Sequence, residues 1–351
     1  MNINQMGSAE VYIKYLALTS KDYTIVPFAN KHKSIFNYYE VDGAANWGYD
    51  LFHYCTIETF KSITEKNNKD DIGARLRFSD IRFLNDTTEF KEAVRLLKAI
   101  IEKEKTSMDK ELYKLLTDKA IFTELEKYFQ RYPFEKPINQ NKNVDSILPV
   151  CRIYTCSFSM DGDLLPMWNY YAHGMGGLSI NFRELKENMQ KNDKVKLVWG
   201  KVWYEEDDKI QCIEALLKDI IELFHQIPNI KFREEMIQTV LINAINNMRI
   251  FMKNEKFSTE KEYRAVLIVP DETIKTSQLP EKYKSGHFNR GNIIIPYIDV
   301  PFEPKSIKNV MIGSGAAEDF ELIKLGLEDW LLKQNLNNVC IYPSNIPMRN
   351  Y

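Results

Sequence analysis

Cysteine is scarce in this sequence and never occurs in a metal-binding spacing. The 351 residues contain five cysteines (Cys55, Cys151, Cys156, Cys212 and Cys340), and no two of them form a C-x-x-C pair. Disulfide frameworks use even sets of cysteines in short secreted chains, and tetrahedral zinc sites use paired spacings. We therefore expect neither a disulfide scaffold nor a zinc site.

Long apolar runs, a secretory leader and an excess of charge of one sign are also missing. No apolar stretch approaches the roughly 20 residues that cross a bilayer. Residues 1–10 contain neither the basic region nor the apolar region of a signal peptide. The formal net charge of −2 gives no overall attraction to nucleic acid or anionic lipid. We expect a cytoplasmic protein that does not act at a membrane.

Two common catalytic motifs are absent. Neither Ser157 nor Ser159 lies in a G-x-S-x-G turn, which argues against the nucleophile of an α/β-hydrolase. The glycines at 174, 176 and 177 match neither a P-loop nor a dinucleotide fingerprint. The sequence therefore does not predict a glycine-rich phosphate site.

The hydrophobic pattern predicts a mixture of helices and strands. Apolar residues recur at helical spacing in two long segments, at about 89–148 and 206–256, and strand-like runs surround them. The two element types do not alternate regularly, which favours an α+β fold over a doubly wound parallel sheet. We interpret residues 1–351 as a single catalytic-type domain in which the two helical segments are insertions.

Four islands of polar and aromatic residues interrupt the strand-like runs. Packing alone would favour Val, Ile or Leu in these places, and a polar group buried without a partner costs free energy. Four such islands in one chain indicate a shared pocket. They are residues 52–56 (FHYCT), residues 84–90 (LNDTTEF), residues 156–159 (CSFS) with Trp168 and Tyr171, and residues 260–264 (EKEYR).

The fourth island is the most specific of the four. Strand alternation would place Glu260, Glu262 and Arg264 on one face of a strand. Two nearby carboxylates raise each other's proton affinity, and an arginine lowers it. Such a cluster suits the stabilisation of positive charge that develops on a sugar carbon. The alternative is a surface ladder of glutamate and arginine.

The first two islands each have a structural alternative. His53 can orient a ligand or transfer a proton, or it can be a structural histidine bonded to the backbone. Asp86 or Thr87 can cap the helix that begins there, with Glu89 in the first turn, and capping is the favoured interpretation here. Contact with a ligand is an additional role for Asn85 and Asp86.

The third island combines hydroxyl groups with aromatic rings. Ser157 and Ser159 flank Phe158, so both hydroxyls should lie on the same face of a strand. Trp168 and Tyr171 can supply a flat wall for an aromatic ring. Packing in the core explains these aromatic residues nearly as well.

Together the islands resemble a bacterial family catalogued as domain of unknown function 2971. The family pattern has an H-Y-T-like strand, an N-D-x-x-E turn, an S-F-S strand followed by W-x-x-Y, and a late E-x-E-Y-R segment. Cys55 separates Tyr54 from Thr56 here, which departs from that pattern. The resemblance covers most of residues 50–351 and includes residues 310–313 (VMIG) and 344–349 (SNIPMR).

The order of the islands is similar, more distantly, to that of ADP-ribosyltransferases. This resemblance implies an ADP-ribosyltransferase-like core of mixed or antiparallel sheets, NAD as a substrate and no metal. His53 would position NAD, Glu262 would hold the ribose 2′-hydroxyl and stabilise the oxocarbenium ion, and Glu260 would activate the acceptor. The rest of the implied NAD-binding set is Tyr54, Thr56, Asn85, Asp86, Ser157, Ser159, Arg264, and Tyr171 or Trp168 against the nicotinamide ring.

The resemblance implies an NAD-dependent ADP-ribosyltransferase that modifies RNA, DNA or protein. Such an enzyme would act as a bacterial toxin or anti-phage effector, and a cognate inhibitor protein would be a further partner. Two alternatives stay open. A metal-dependent nuclease or hydrolase would use Asp80, Asp86, Glu89 and His53. A non-enzymatic binding module would recognise a nucleotide in the same pocket.

Overall fold

The structure is a computed structural model that describes residues 50–65, 74–84, 90–130, 151–189, 195–226 and 230–347. These residues divide into two compact units. The helical unit comprises residues 90–130, 203–226 and 230–255. The sheet unit comprises residues 50–65, 74–84, 151–189, 195–202 and 256–347.

A largely antiparallel sheet forms the sheet unit. The strand order is β10-β9-β4-β1-β3-β2-β8-β7, and β6 pairs with both β3 and β5. Only the pairing of β9 with β10 is parallel among these strands. The strands are β1 (Leu51–Cys55), β2 (Ala74–Asp80), β3 (Cys151–Ser159), β4 (Leu178–Phe182), β5 (Lys196–Lys201), β6 (Glu262–Pro270), β7 (Lys284–Arg290), β8 (Ile293–Phe302), β9 (Ile307–Ile312) and β10 (Cys340–Pro343).

Each unit contains helices, and together with the sheet they confirm the α+β class. They are α1 (Ile57–Thr64), α2 (Glu92–Lys103), α3 (Lys110–Leu116), α4 (Lys119–Gln130), α5 (Leu165–Tyr171), α6 (Leu185–Asn188), α7 (Glu206–Gln226), α8 (Ile230–Met248), α9 (Asp271–Lys275) and α10 (Phe320–Lys333). Short 3-10 turns occur at Ile81–Phe83, Arg249–Phe251, Glu255–Glu260, Pro304–Ser306 and Ser314–Asp319.

Alternate residues of β3 and β6 build the apolar core of the sheet unit. Cys156 and Phe158 of β3 are buried in it, as are Ala265 and Leu267 of β6. Because side chains alternate along a strand, the residues between them point to the opposite face. We call that opposite face the polar face. On β3 and β6 it carries Thr155, Ser157, Ser159, Glu262 and Arg264.

The helical unit has a core of its own. Helix α2 buries Leu97 and Ile101, α7 buries Ile213 and Leu216, and α8 buries Leu241 in one cluster. These residues follow the three-to-four-residue spacing of a helical face. The predicted helical segments therefore correspond to α2 to α4 and to α7 and α8, while residues 131–150 lie outside the described residues. The single-domain interpretation stays a prediction.

Strand β7 is an element that the sequence pattern did not predict. Its residues, KSGHFNR, are mostly exposed, and among the described strands they pair with β8 alone. An edge strand with two wet faces has no alternation of apolar and polar residues, so it gives no periodic signal. Among the described helices, none combines the length and apolar content that a bilayer span requires.

Two glycines provide a matched test of this packing. A Cβ at Gly313 would collide with the carbonyl oxygen of Met175, and the Gly313 N–H donates to the Gly177 carbonyl at 3.0 Å. A Cβ at Gly326 in α10 would meet no atom within 4 Å.

We expect Gly313→Ala to lower the free energy of unfolding by about 2 kcal/mol or more, because backbone must move to admit the methyl group. Gly326→Ala should raise it by about 0.5–1 kcal/mol, because alanine loses less backbone entropy in a helix. Urea unfolding of both variants tests this. Equal effects of the two substitutions would contradict the packing described here.

Candidate functional site

Three of the four islands lie on neighbouring strands. Strand β3 pairs with β6 along its whole length, and Ser159 lies directly opposite Glu262. Strand β1 meets the other edge of β3, where Phe52 lies opposite Ser159. Phe52, Ser159 and Glu262 therefore form one row across three adjacent strands, on the polar face.

Glu262 and Arg264 form a buried ion pair on that face, as strand alternation predicts. The Arg264 Nε atom donates to Glu262 Oε1 at 2.6 Å, and Nη2 donates to Oε2 at 3.0 Å. Glu262 is 3% exposed and Arg264 is 1% exposed. A two-pronged pairing of this kind fixes the orientation of the carboxylate. Removing either partner would break a buried ion pair, which is strongly destabilising.

Glu260 does not lie on the same strand as Glu262. A 3-10 turn ends at Glu260, and β6 begins only at Glu262. Between them Lys261 has a φ of 47°, which is left-handed backbone and interrupts strand alternation. The prediction that alternation aligns Glu260 with Glu262 is therefore wrong. Glu260 is nevertheless buried, and the Tyr171 hydroxyl donates to its Oε1 at 3.4 Å.

A small network joins the turn after β3 to the turn before β6. The Ser159 hydroxyl donates to the Glu260 carbonyl at 2.8 Å and accepts from the Asp161 N–H at 3.2 Å. Lys261 Nζ bonds Asp161 Oδ2 at 2.9 Å. Burial alone would raise the pKa of Asp161, but the bonds from Lys261 and a backbone N–H lower it on balance. The network holds Glu260 beside the start of β6.

The structure does not bring His53 together with Glu262. Phe52 shares the polar face with Ser159, so the next residue, His53, lies on the core face. Its ring centroid is 5.8 Å from that of Phe158, and its Nδ1 donates to the Ser157 carbonyl at 3.0 Å. Burial lowers the pKa of His53, although the bond to Ser157 opposes this shift.

Tyr54 and Trp168 make structural contacts with the residues around them. The Tyr54 hydroxyl donates to the Asp161 carbonyl at 2.9 Å and accepts from the Leu164 N–H at 2.8 Å. Burial raises the pKa of Tyr54. The Trp168 ring is fully buried, meets Tyr54 edge-on at 5.0 Å and donates to Asp163 Oδ1 at 2.8 Å. Trp168 therefore presents no open ring face to a ligand.

Sequence reasoning missed the importance of Asp163. Besides Trp168, its carboxylate accepts from the Ser344 hydroxyl at 2.6 Å and from the Asn345 N–H at 2.8 Å. Asp163 thus joins α5 to the segment after β10. The family pattern includes both of these parts of the chain, as Trp168 with Tyr171 and as residues 344–349. The signal was the D-G-D run at residues 161–163, directly after the S-F-S island.

The remaining candidates are scattered. Thr56 caps α1 by accepting from the Thr59 N–H at 3.1 Å. Tyr171 is 36% exposed. Asp80 accepts from Arg82 Nε at 2.8 Å, which compensates its charge. Asn85, Asp86 and Glu89 lie outside the described residues. Within the described ranges, no three His, Cys, Asp or Glu side chains are grouped to hold a metal ion.

The lowered pKa of His53 gives the unfolding free energy a pH dependence. Below the ordinary histidine pKa of about 6.5 the unfolded chain binds a proton that folded His53 resists, so stability is lost as the pH falls. The limiting slope is about 1.4 kcal/mol per pH unit.

We expect His53→Gln to remove this contribution while its amide still donates to the Ser157 carbonyl. Urea unfolding between pH 7.5 and 5 should show the difference between wild type and variant shrinking as the pH falls. His287→Gln, at an exposed position on β7, serves as the control. Parallel profiles for wild type and His53→Gln would contradict the assignment of a neutral imidazole in the folded protein.

Comparison with known proteins gives one match. Residues 167–265 match the family model described as a protein of unknown function (DUF2971). No curated protein and no solved structure matches the chain significantly. The matched segment contains Trp168, Tyr171 and the island at residues 260–264. The resemblance to the domain of unknown function 2971 family is thus confirmed over residues 167–265.

Proposed function

We propose that the protein is an NAD-dependent ADP-ribosyltransferase that modifies a macromolecule. The observation that carries this proposal is the strand order: β1, β3 and β6 are adjacent, and Ser159 lies directly opposite Glu262. The enzymes that the chain resembles hold NAD with residues on a first strand, a serine or tyrosine strand and a later glutamate strand. Three neighbouring strands with a serine and a glutamate in one row support such an arrangement.

The proposed reaction is a glycosyl transfer. The bond between C1′ of the ribose and the nicotinamide nitrogen breaks, and nicotinamide leaves with the bonding electron pair. An oxygen or nitrogen of the acceptor forms the new bond to C1′ and loses its proton. Glu262 would stabilise the positive charge on the ribose and accept from its 2′-hydroxyl. Each carboxylate oxygen has two acceptor positions, so the bonds from Arg264 can persist.

Glu260 is the proposed acceptor of the proton that the incoming nucleophile releases. Its carboxylate is buried beside the start of β6 and contacts the hydroxyl of Tyr171. Tyr171, which is partly exposed, is better placed than the buried Trp168 to contact the nicotinamide ring. In this proposal His53 supports β3 from the core face and does not touch NAD. The roles as a toxin or anti-phage effector, and the cognate inhibitor, stay predictions.

The test is nicotinamide release from NAD by the purified protein, with and without total cellular RNA and protein. We expect Glu262→Gln to lower the rate at least about 100-fold, because a neutral amide cannot balance the charge of the oxocarbenium ion. Glu328→Gln, on the exposed surface of α10, should leave the rate unchanged.

A loss of folding must be separated from a loss of chemistry. Glu262→Gln removes the carboxylate that accepts the bonds from Nε and Nη2 of Arg264, and breaking a buried ion pair costs about 3–5 kcal/mol of stability. The double variant Glu262→Gln/Arg264→Gln removes both charges and should regain much of that stability, but not the activity. A folded variant lacking Glu262 that releases nicotinamide at the wild-type rate would overturn the proposal. Release by no sample would favour the binding module.

A further inference from the structure

The β7–β8 hairpin carries the opposite charge to the chain as a whole. No acidic residue occurs between Lys282 and Ile298, while Lys282, Lys284 and Arg290 are cationic. The chain has a formal net charge of −2. All three cations are exposed, and β7 forms the outer edge of the sheet. The one acidic residue of segment 282–302 is Asp299, opposite Lys284, so the segment has a formal charge of +2 and is a local positive strip on a nearly neutral protein.

Aromatic rings and guanidinium groups are interleaved along this strip. The Phe288 and Tyr297 ring centroids are 6.0 Å apart. Arg77 Cζ lies 3.7 Å from the Tyr297 centroid and 5.6 Å from that of Phe288, and Arg290 Cζ lies 5.9 Å from Phe288. We call Arg290, Phe288, Tyr297 and Arg77 the ladder. Arg77 also pairs with Asp299 at 3.1 Å, which holds its guanidinium over Tyr297.

The ladder lies on the polar face, the same face as Glu262. Directly opposite residues share a face of a sheet. Thr155 of β3 lies opposite Ser79 of β2, and Ser79 lies opposite Tyr297 of β8. Tyr297 in turn lies opposite Gly286 of β7. Four strand spacings of about 4.8 Å separate β6 from β7, and the Thr155 row lies four residues along β3 from the Ser159 row, so the ladder is on the order of 20–30 Å from the proposed site.

We propose that the ladder binds a single-stranded nucleic acid, and that this nucleic acid is the acceptor of the ADP-ribosyl group. The acceptor role, but not the binding, rests on the proposed function. Exposed lysines suit phosphates, whereas rings and guanidinium planes suit unpaired bases. Paired bases in a duplex are already stacked and cannot use the rings. A strand of a few nucleotides would reach from the ladder to Glu262.

Binding is measured by fluorescence anisotropy with labelled 12-nucleotide oligo(U) and oligo(dT), and with a duplex of the same length. We expect both single strands to bind more tightly than the duplex, with the tighter one identifying the preferred sugar. Phe288→Ala should weaken binding about 5- to 100-fold, the effect of losing one stacked base. Lys282→Ala/Lys284→Ala should reduce the slope of log K against log salt by about 2.

A matched control makes the same change of charge at another place on the protein surface. Lys282→Glu/Lys284→Glu should weaken binding at least tenfold, whereas Lys324→Glu/Lys333→Glu on α10 makes the same charge change and should have less than a twofold effect. Equal weakening by the two double variants, equal binding of the duplex, or no binding of either oligonucleotide would overturn the inference.

Binding and catalysis are then separated. Glu262→Gln/Arg264→Gln should bind the oligonucleotides as the wild type does. Oligonucleotide binding as expected without nicotinamide release under any condition would remove the proposed function and leave the binding surface. Release that responds to cellular protein but not to either oligonucleotide would remove the acceptor role alone. Oligonucleotide-stimulated release that Phe288→Ala abolishes would support both.

Discussion

The hydrogen bonding of β3 is the constraint on which the sheet unit depends. Buried backbone groups must find partners, and β3 satisfies one edge with β6 over nine residues. Its other edge is shared, because β2 pairs at Ser79–Thr155 and Asp80–Tyr154 and β1 pairs at Phe52–Ser159. Between these two strands the Ser157 carbonyl accepts from the imidazole of His53 instead. A side chain thus completes the pairing where the sheet divides.

Specific hydrogen bonds hold the polar residues beside the end of β3. Three polar residues of the islands have defined bonds: Ser159 to Glu260 and Asp161, Glu262 to Arg264, and Tyr54 to the turn after β3. Polar groups at low dielectric are costly when unpaired and rigid when paired. The row on the polar face is therefore fixed in position before any ligand arrives, which is the condition that electrostatic stabilisation of a charged intermediate requires.

Sequence periodicity predicted the parts of the site that depend only on alternation. Glu262 and Arg264 lie on one face of the sheet because they are two residues apart in the same strand. Periodicity failed where one backbone angle or the pairing register determines the direction of a side chain. The left-handed backbone of Lys261 separates Glu260 from the strand that contains Glu262. The face on which His53 lies depends on Phe52 lying opposite Ser159. Trp168 can be recognised as a buried structural residue only when its hydrogen-bond partner Asp163 is known. Strand β7 lacks any apolar pattern, since both its faces are wet.

The division of the chain into interleaved segments has a consequence for its synthesis. Helices α2 and α7 pack in one core although the whole of β3, β4 and β5 lies between them in sequence. Strand β3 likewise pairs with β6, which lies more than 100 residues later in the chain. Contacts so distant along the chain close slowly, because the loop entropy precedes the gain from packing. Neither unit can be completed on the ribosome until most of the chain has emerged, which leaves apolar helix faces and unpaired strand edges exposed to chaperones in the interval.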